Sequence, residues 1–467
     1  MPQETMCWSE TEFARHRRNT LVATCTSYIL VILDTSVVNV ALQSIAQSLN
    51  GDISSLQWVV SAYTVVFAAL LLTGGALGDM VGARRAYVWG LAIFTGASAI
   101  CSLAGNLPML LAGRALQGIG AAILVPCSLA LLAHTFSDPN ERSRAISVWA
   151  ACGGVALVLG PVVGGFLVSK FGWPSIFLLN IPLGIVGIVM SRSSPPEHTR
   201  DRRIDLLGQI LAIVSLSAFM ITLIEGPHWR WTSWTTISGA SVAIVTLVLF
   251  LRVQATSEHP MLPLDLFRIK EFTGVCLVFA FSMFAFAGVL FVTSLYLQTQ
   301  QHLSPFATGL ALLPLSVFVT AGNLSSARLS TKFGSSKILC VGMAMQATGF
   351  FLLSIKGPDG GAPEQLAPAL SLIGLGGGLG APTLTSVLVS VVDKTTTGIA
   401  SGVGNTARQI GAAFGVAVCG VLISTEATVT QGFRSATAVA AALALLNAIV
   451  SVVFLKGQDR GERSQPR

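Results

Sequence analysis

Apolar residues in this chain gather into blocks of about 18–26 with no strict alternation. Blocks of that length match helices crossing a hydrocarbon core about 30 Å thick, and argue against barrel strands of about ten residues. Fourteen such blocks can be marked: 20–42, 55–77, 86–105, 108–134, 146–168, 174–191, 206–224, 236–252, 273–297, 306–326, 337–355, 367–391, 398–423 and 435–455. The third and fourth are parted only by the turn GNLP, and the pattern is least regular near 356–400, where Gly and Pro interrupt it. The prediction is an all-α polytopic membrane protein of 14 spans.

Composition agrees. Of the 467 residues, 52% are hydrophobic and 10% charged, and the mean hydropathy is +0.72. Soluble domains carry roughly 25% charged residues. Charge placement then orients the spans. Of 28 Lys and Arg residues, 22 fall on the side of the N-terminus. Four (Lys170, Arg230, Lys356 and Arg434) fall on the other side, and Arg114 and Arg408 lie within spans. By the positive-inside rule both termini are cytoplasmic, in the inner (cytoplasmic) membrane. The net charge of +7 thus reads as topology and not as a nucleic-acid surface. The polar N-terminus has no cleavage site after the first block, so that block is expected to be its own insertion signal.

The cytoplasmic loop LGDMVGARR (77–85) echoes LSTKFGSSK (329–337): Leu, Gly five residues on, then cations. Two six-helix halves in parallel repeat would explain this. The expected division is 1–191 for the first half, 192–253 for a basic link (RSSPPEHTRDRR) with two inserted spans, and 254–467 for the second half and tail. Secondary transporters are often built from such repeats, with the substrate site near the midplane between them.

Among 21 Asp and Glu residues only Asp34, in LDTSVVNVAL (33–42), lies deep in a span. A helix-centre Asp costs about 2.5–3.5 kcal/mol on insertion scales. A carboxylate sealed from water favours its neutral form and releases the proton when water arrives, which is what a proton carrier needs. The alternative is a structural Asp bonded to the hydroxyls of Thr35 or Ser36. Arg114, in LLAGRALQGIGAA (110–122), is the only deep cation of the first half. It cannot shed its proton, so it needs a cavity, Asp34, or capping backbone carbonyls. Gln117 lies one turn away on a similar face.

Other motifs suggest motion. Gly82 permits a tight turn beside Asp79, which can accept from helix N-terminal amides or pair with a cation where the halves meet. Gly160 and Gly164 are spaced as GxxxG for close helix approach, and Pro161 kinks the same helix. The loop EGPHWRWTSW (225–234) reads as an aromatic anchor belt, with a ligand cage as the alternative. GLGGGLG (374–380) and GVGNTARQIG (402–411) follow no strand, and GxxxxGK[ST] is absent, so no nucleotide site is expected. The eight cysteines form no CxxC pair and read as free thiols, and the scattered histidines suggest no metal site. Arg408 lies mid-span without a nearby acid in sequence. It could serve an anionic substrate or only helix packing.

Taken together these residues resemble the fourteen-span drug:proton antiporters of the major facilitator superfamily. The likeness runs through LDTSVVNVAL, QWVVSAY (57–63), GALGDMVGARR with Gly75, Asp79, Gly82, Arg84 and Arg85, Arg114 with Gln117 and Gly118, Gly153, Gly160, Pro161, Gly164 and Gly165, and WPSIFLLNIPLG (173–184). It implies the major facilitator fold and multidrug-type export of apolar compounds against proton entry by alternating access. Asp34 would be the proton site, Arg114 its relay, and Asp79 with Arg84 and Arg85 a cytoplasmic lock between halves. Asn39, Gln57, Tyr63, Gln117 and Arg408 are candidates for the substrate cavity. The chain departs from the pattern at Gln43, where Pro is usual, and at Met80, where Arg is usual, which is expected to loosen the lock. No extra membrane acid is found in the second half, so a neutral, monocationic or zwitterionic cargo is expected ahead of a dication. No cofactor is expected, because a gradient would drive transport, and the unit is expected to be a monomer in the bilayer. Two alternatives remain: a dedicated exporter of one metabolite, and a non-transporting membrane sensor. No enzyme motif is found.

Overall fold

The computed structural model describes residues 10–192, 205–257, 260–357, 363–393 and 396–455, which form helices α1 (Glu10–Leu49), α2 (Ile53–Val81), α3 (Ala83–Ser102), α4 (Leu107–Thr135), α5 (Pro139–Phe171), α6 (Pro174–Leu178), α7 (Asn180–Ser191), α8 (Leu206–Trp229), α9 (Trp234–Thr256), α10 (Lys270–Thr299), α11 (Pro305–Ala311), α12 (Leu313–Phe333), α13 (Ser335–Lys356), α14 (Ala367–Ser390), α15 (Thr397–Thr425) and α16 (Val429–Leu455). Side-chain oxygens of Asp52, Asn106, Asp138, Asp205, Ser233 and Ser304 accept the first amides of α2, α4, α5, α8, α9 and α11. These caps let short loops end one span and start the next. α6 and α7 form one span broken at Leu179, and α11 and α12 form another broken at Leu312. In each, a proline just inside the second piece (Pro182, Pro314) lacks the N–H that would continue the ladder.

Counted this way there are fourteen spans. Thirteen are long and apolar enough to cross a membrane by those measures alone. The fourteenth, α3, opens on Arg84 and Arg85 and is rich in Ala, Gly, Ser and Thr, yet it packs between α4 and α7.

The repeat is visible in the packing. In the first half α1 packs on α5 and α7, α2 on α4, and α3 on α4 and α7. In the second half α10 packs on α15 and α16, α12 on α14, and α13 on α14 and α16. Each pairing in one set has its counterpart in the other. The echoing loops adopt one backbone: a lone glycine joins the two helices, Gly82 at φ 93°, ψ 131° and Gly334 at φ 92°, ψ 142°. A side chain rarely adopts that conformation, which explains the shared Gly. The basic link at 193–203 lies outside the described residues.

The inserted pair α8 and α9 pack on each other, and α8 also touches α2 and α15, one helix from each half. Side chains hold it there. Gln209 donates to the carbonyl of Ala69 (2.9 Å) and accepts from Thr73. At the other end Glu225 accepts from Ser54 (2.9 Å) and from the Trp58 indole (2.7 Å), and His228 lies 3.3 Å from Asp52. Phe219 of α8 rests on Phe414 of α15, ring centres 4.7 Å apart. α9 is largely exposed, as a lipid-facing helix should be, and Trp229, Trp231 and Trp234 are exposed at the ends of the pair, as anchors are.

Candidate functional site: a buried ion pair between four helices

Asp34 and Arg114 meet. Arg114 Nη1 donates to Asp34 Oδ2 at 2.5 Å, and both side chains are 1% exposed. The carboxylate's other oxygen accepts from Gln117 Nε2 (3.2 Å) and Asn180 Nδ2 (2.9 Å). Three donors thus converge on one buried anion, brought by α4 and α7 to α1. Arg114 also donates through Nε to the carbonyl of Val59 (3.0 Å) and through Nη1 to Gln117 Oε1 (2.8 Å). Its guanidinium lies 4.5 Å from the Tyr63 ring centre and 5.8 Å from that of Phe177. Behind them Ser98 of α3 accepts from Gln117 (2.8 Å) and Asn180 (3.4 Å) and donates to the carbonyl of Phe94 (2.8 Å). Charge-assisted bonds on both members make a dry ion pair tolerable, because removing either would strand the other.

Both readings of Arg114 hold at once: it pairs with the acid and ties α4 to an α2 carbonyl. The hydroxyl reading of Asp34 does not hold, since Thr35 and Ser36 donate to the carbonyls of Ile32 (2.7 Å) and Leu33 (3.0 Å). The sequence pattern alone does not mark Asn180 or Ser98 as site residues. Asn180 stands within WPSIFLLNIPLG, where the signals are the motif's likeness to the family and a lone amide in an apolar run. The buried Tyr63 hydroxyl and Asn180 Oδ1 have no hydrogen-bond partner, so the pocket keeps unused polar capacity beside the ion pair.

The remaining candidates lie elsewhere. The Asn39 side-chain amide donates to the Thr35 carbonyl (2.9 Å), and the Asn39 backbone carbonyl accepts from the Ser294 hydroxyl of α10 (2.6 Å). Gln57 donates to the Ala417 carbonyl of α15 (2.7 Å). Both sit where the halves touch, toward the end of the molecule that carries Gly51. α5 meets α11 at the same end. A Cβ on Gly165 would lie 2.4 Å from the Pro305 carbonyl oxygen, and one on Gly309 would lie 2.2 Å from that of Pro161. Gly160 and Gly164 instead press α5 on Ser36 and Val37 of α1, within the first half, and Gly75 faces Pro126 of α4. At the opposite end, which carries Gly82, Arg84 donates to the Arg192 carbonyl (2.5 Å), Asp79 is half-buried and Arg85 is exposed. The Arg84 contact stays inside the first half. Arg408, half-buried on α15, lies 5.6 Å from the Phe279 ring centre. Seven cysteines are free, Cys7 lies outside the described residues, and no metal-binding cluster occurs among those described.

The sequence pattern of the Major Facilitator Superfamily matches residues 24–416. The chain belongs to that superfamily. Among its relatives are the methylenomycin A resistance protein of Bacillus subtilis, 35% identical over 94% of both chains, and that of Streptomyces coelicolor, 36% identical over 86% of this chain and 85% of the other. The multidrug resistance protein Stp of Mycobacterium tuberculosis is 34% identical over 87% of this chain and 75% of its own. A peptide transporter POT crystallised with sulfate superimposes on this facilitator with a TM-score of 0.69, covering 98% of this chain and 96% of that one at 14% identity, and so shares its fold. The protein is a multi-pass membrane transporter and not an enzyme.

Proposed function

We propose that this facilitator exports small apolar compounds in exchange for protons, by alternating access, from a chain set in the inner membrane as a monomer with both termini cytoplasmic. Residues 1–191 and 254–467 act as the two moving halves, with 192–253 as link and inserted pair. The observation that carries the reading is the Asp34–Arg114 pair, the deepest acid among the described residues held by three donors. Ionised Asp34 satisfies all of them. A proton arriving there cancels the charge that holds Arg114, and Arg114 must then turn to its other acceptors, Val59 and Gln117. That exchange couples the protonation of α1 to the position of α4, which also packs on α2 and α3. Relatives named for drug and antibiotic resistance support the outward direction. About 100 mV supplies ~2.3 kcal/mol per charge and each pH unit adds ~1.4.

The test is substrate-triggered proton release from acid-loaded inverted vesicles, scanned over a compound panel, for wild type and Asp34→Asn. Release by wild type that the folded variant lacks is the expected result. Equal release by both would remove Asp34 from the proton path. Relatives named for a single compound, methylenomycin A or tetracenomycin C, favour a second reading, a dedicated exporter. A single responding compound in the panel would select it.

A further inference from the structure

Among the described residues three charges lie deep in the membrane-spanning body. Asp34 and Arg114 neutralise each other. Arg408 is the third, and no described carboxylate lies within ion-pair distance of it. The wall between the halves therefore carries an uncompensated positive charge. Arg408 lies nine residues before Ala417, about 13 Å along α15 from the Gln57 contact toward the Gly82 end. Among the described residues its ring contact is Phe279, with the guanidinium carbon 5.6 Å from the ring centre. Tyr28 of α1 lies within electrostatic reach of Arg408. Tyr28 is stacked on Trp149 of α5 at 3.7 Å, and a Cβ on Gly153 would strike the Tyr28 ring at 2.2 Å. Glycine at 153 thus lets the ring lie flat against α5, leaving Tyr28 half-buried.

A guanidinium with unfilled donors beside a flat aromatic surface recognises a planar anion on an apolar body. The same charge repels a cation. We propose that Arg408, beside Phe279, is the recognition site for a carboxylate on an otherwise apolar cargo. This rests on the export reading and narrows its cargo class, displacing the monocation expected from counting acids alone. One proton entering and one monoanion leaving carry two elementary charges in the same electrical sense, so turnover responds to membrane potential as a two-charge process.

The experiment uses the full-length protein with 2-naphthoate and its uncharged counterpart 2-naphthamide, read by equilibrium dialysis. Wild type is expected to bind the carboxylate about ten- to a hundred-fold tighter, the range of a hydrogen-bonded charge. Arg408→Gln should abolish that preference and keep the amide affinity. Arg408→Lys should keep part of it, and Arg434→Gln, which removes an exposed cation, all of it. A carboxylate-to-amide ratio unchanged in Arg408→Gln, equal loss of both ligands, or binding of neither by wild type overturns the proposal. In inverted vesicles 2-naphthoate should trigger proton release that accelerates with imposed potential. Arg408-dependent binding without proton movement leaves the anion site standing and refutes exchange. Proton release triggered by apolar amines and never by the carboxylate keeps exchange and refutes the anion site.

Discussion

A methyl group at position 165 should pry the two halves apart at the Gly51 end. Gly165 on α5 faces the start of α11, and an added Cβ would sit 2.4 Å from the Pro305 carbonyl oxygen and 2.8 Å from Phe306 Cα. Ordinary contact begins near 3.4 Å, so the helices must separate by about 1 Å. The obstructing atoms are backbone and cannot swing away. Overpacking of this kind costs about 1–3 kcal/mol, or roughly 5–150-fold in a two-state equilibrium. The strain falls only on the state in which α5 and α11 touch, so Gly165→Ala favours the state open at that end. Gly160→Ala is the control, because its Cβ meets Ser36 of α1 inside the first half. The assay is labelling by a membrane-impermeant maleimide at Gln43→Cys, in the crevice lined also by Gln47, Asp52 and Thr299. Gly165→Ala should label at least about fivefold faster than its parent, and Gly309→Ala should do the same from the other side of the contact. A folded Gly165→Ala that labels at the parental rate, or a Gly160→Ala that matches it, would refute the reasoning.

Three further outcomes are expected. Asn180→Leu keeps the side-chain bulk and removes a bond to a charged group worth about 1.5–3 kcal/mol. Proton release should fall about tenfold or more at normal protein level, and an unchanged rate would reduce Asn180 to packing. Gly82→Ala and Gly334→Ala should each lower the melting temperature through roughly 1–3 kcal/mol of backbone strain, and a variant that melts with wild type would show that the loop simply re-forms. Burial pushes the Asp52 carboxyl up, but the Ser55 hydroxyl and amide and the neighbouring His228 outweigh it and hold the group below its ordinary 3.8. The stabilisation from that charge is complete above 3.8 and lost as pH falls below it. Asp52→Asn, which keeps the helix cap, should therefore melt below wild type at pH 7, with the gap closing under acid. A gap constant with pH would exclude the charge as its source.

The length of the apolar blocks and the side on which cations fall determine the span count and its expected orientation, because hydrocarbon cannot satisfy a backbone or solvate a charge. Even α3, which falls short by hydropathy alone, was legible as the apolar block 86–105, because its few polar residues are small and its cations gather at one end. The same penalty made Asp34 and Arg114 visible as partners before any coordinates, and the shared Gly of two loops announced a repeat because few residues can adopt φ near 90°. The tertiary structure decided what carries no such penalty in one dimension. Asn180 and Ser98 are small polar residues that any apolar run tolerates, and only folding aims them at the carboxylate. Gln57 could have faced a cavity, but the approach of α15 fills that direction. The docking of α8 across α2 and α15 depends on Gln209 and Glu225 finding acceptors and donors on another helix, which no periodicity records. Whether Arg408 has a counter-charge is likewise a question of distance between helices far apart in the chain, and local sequence holds no information about that distance.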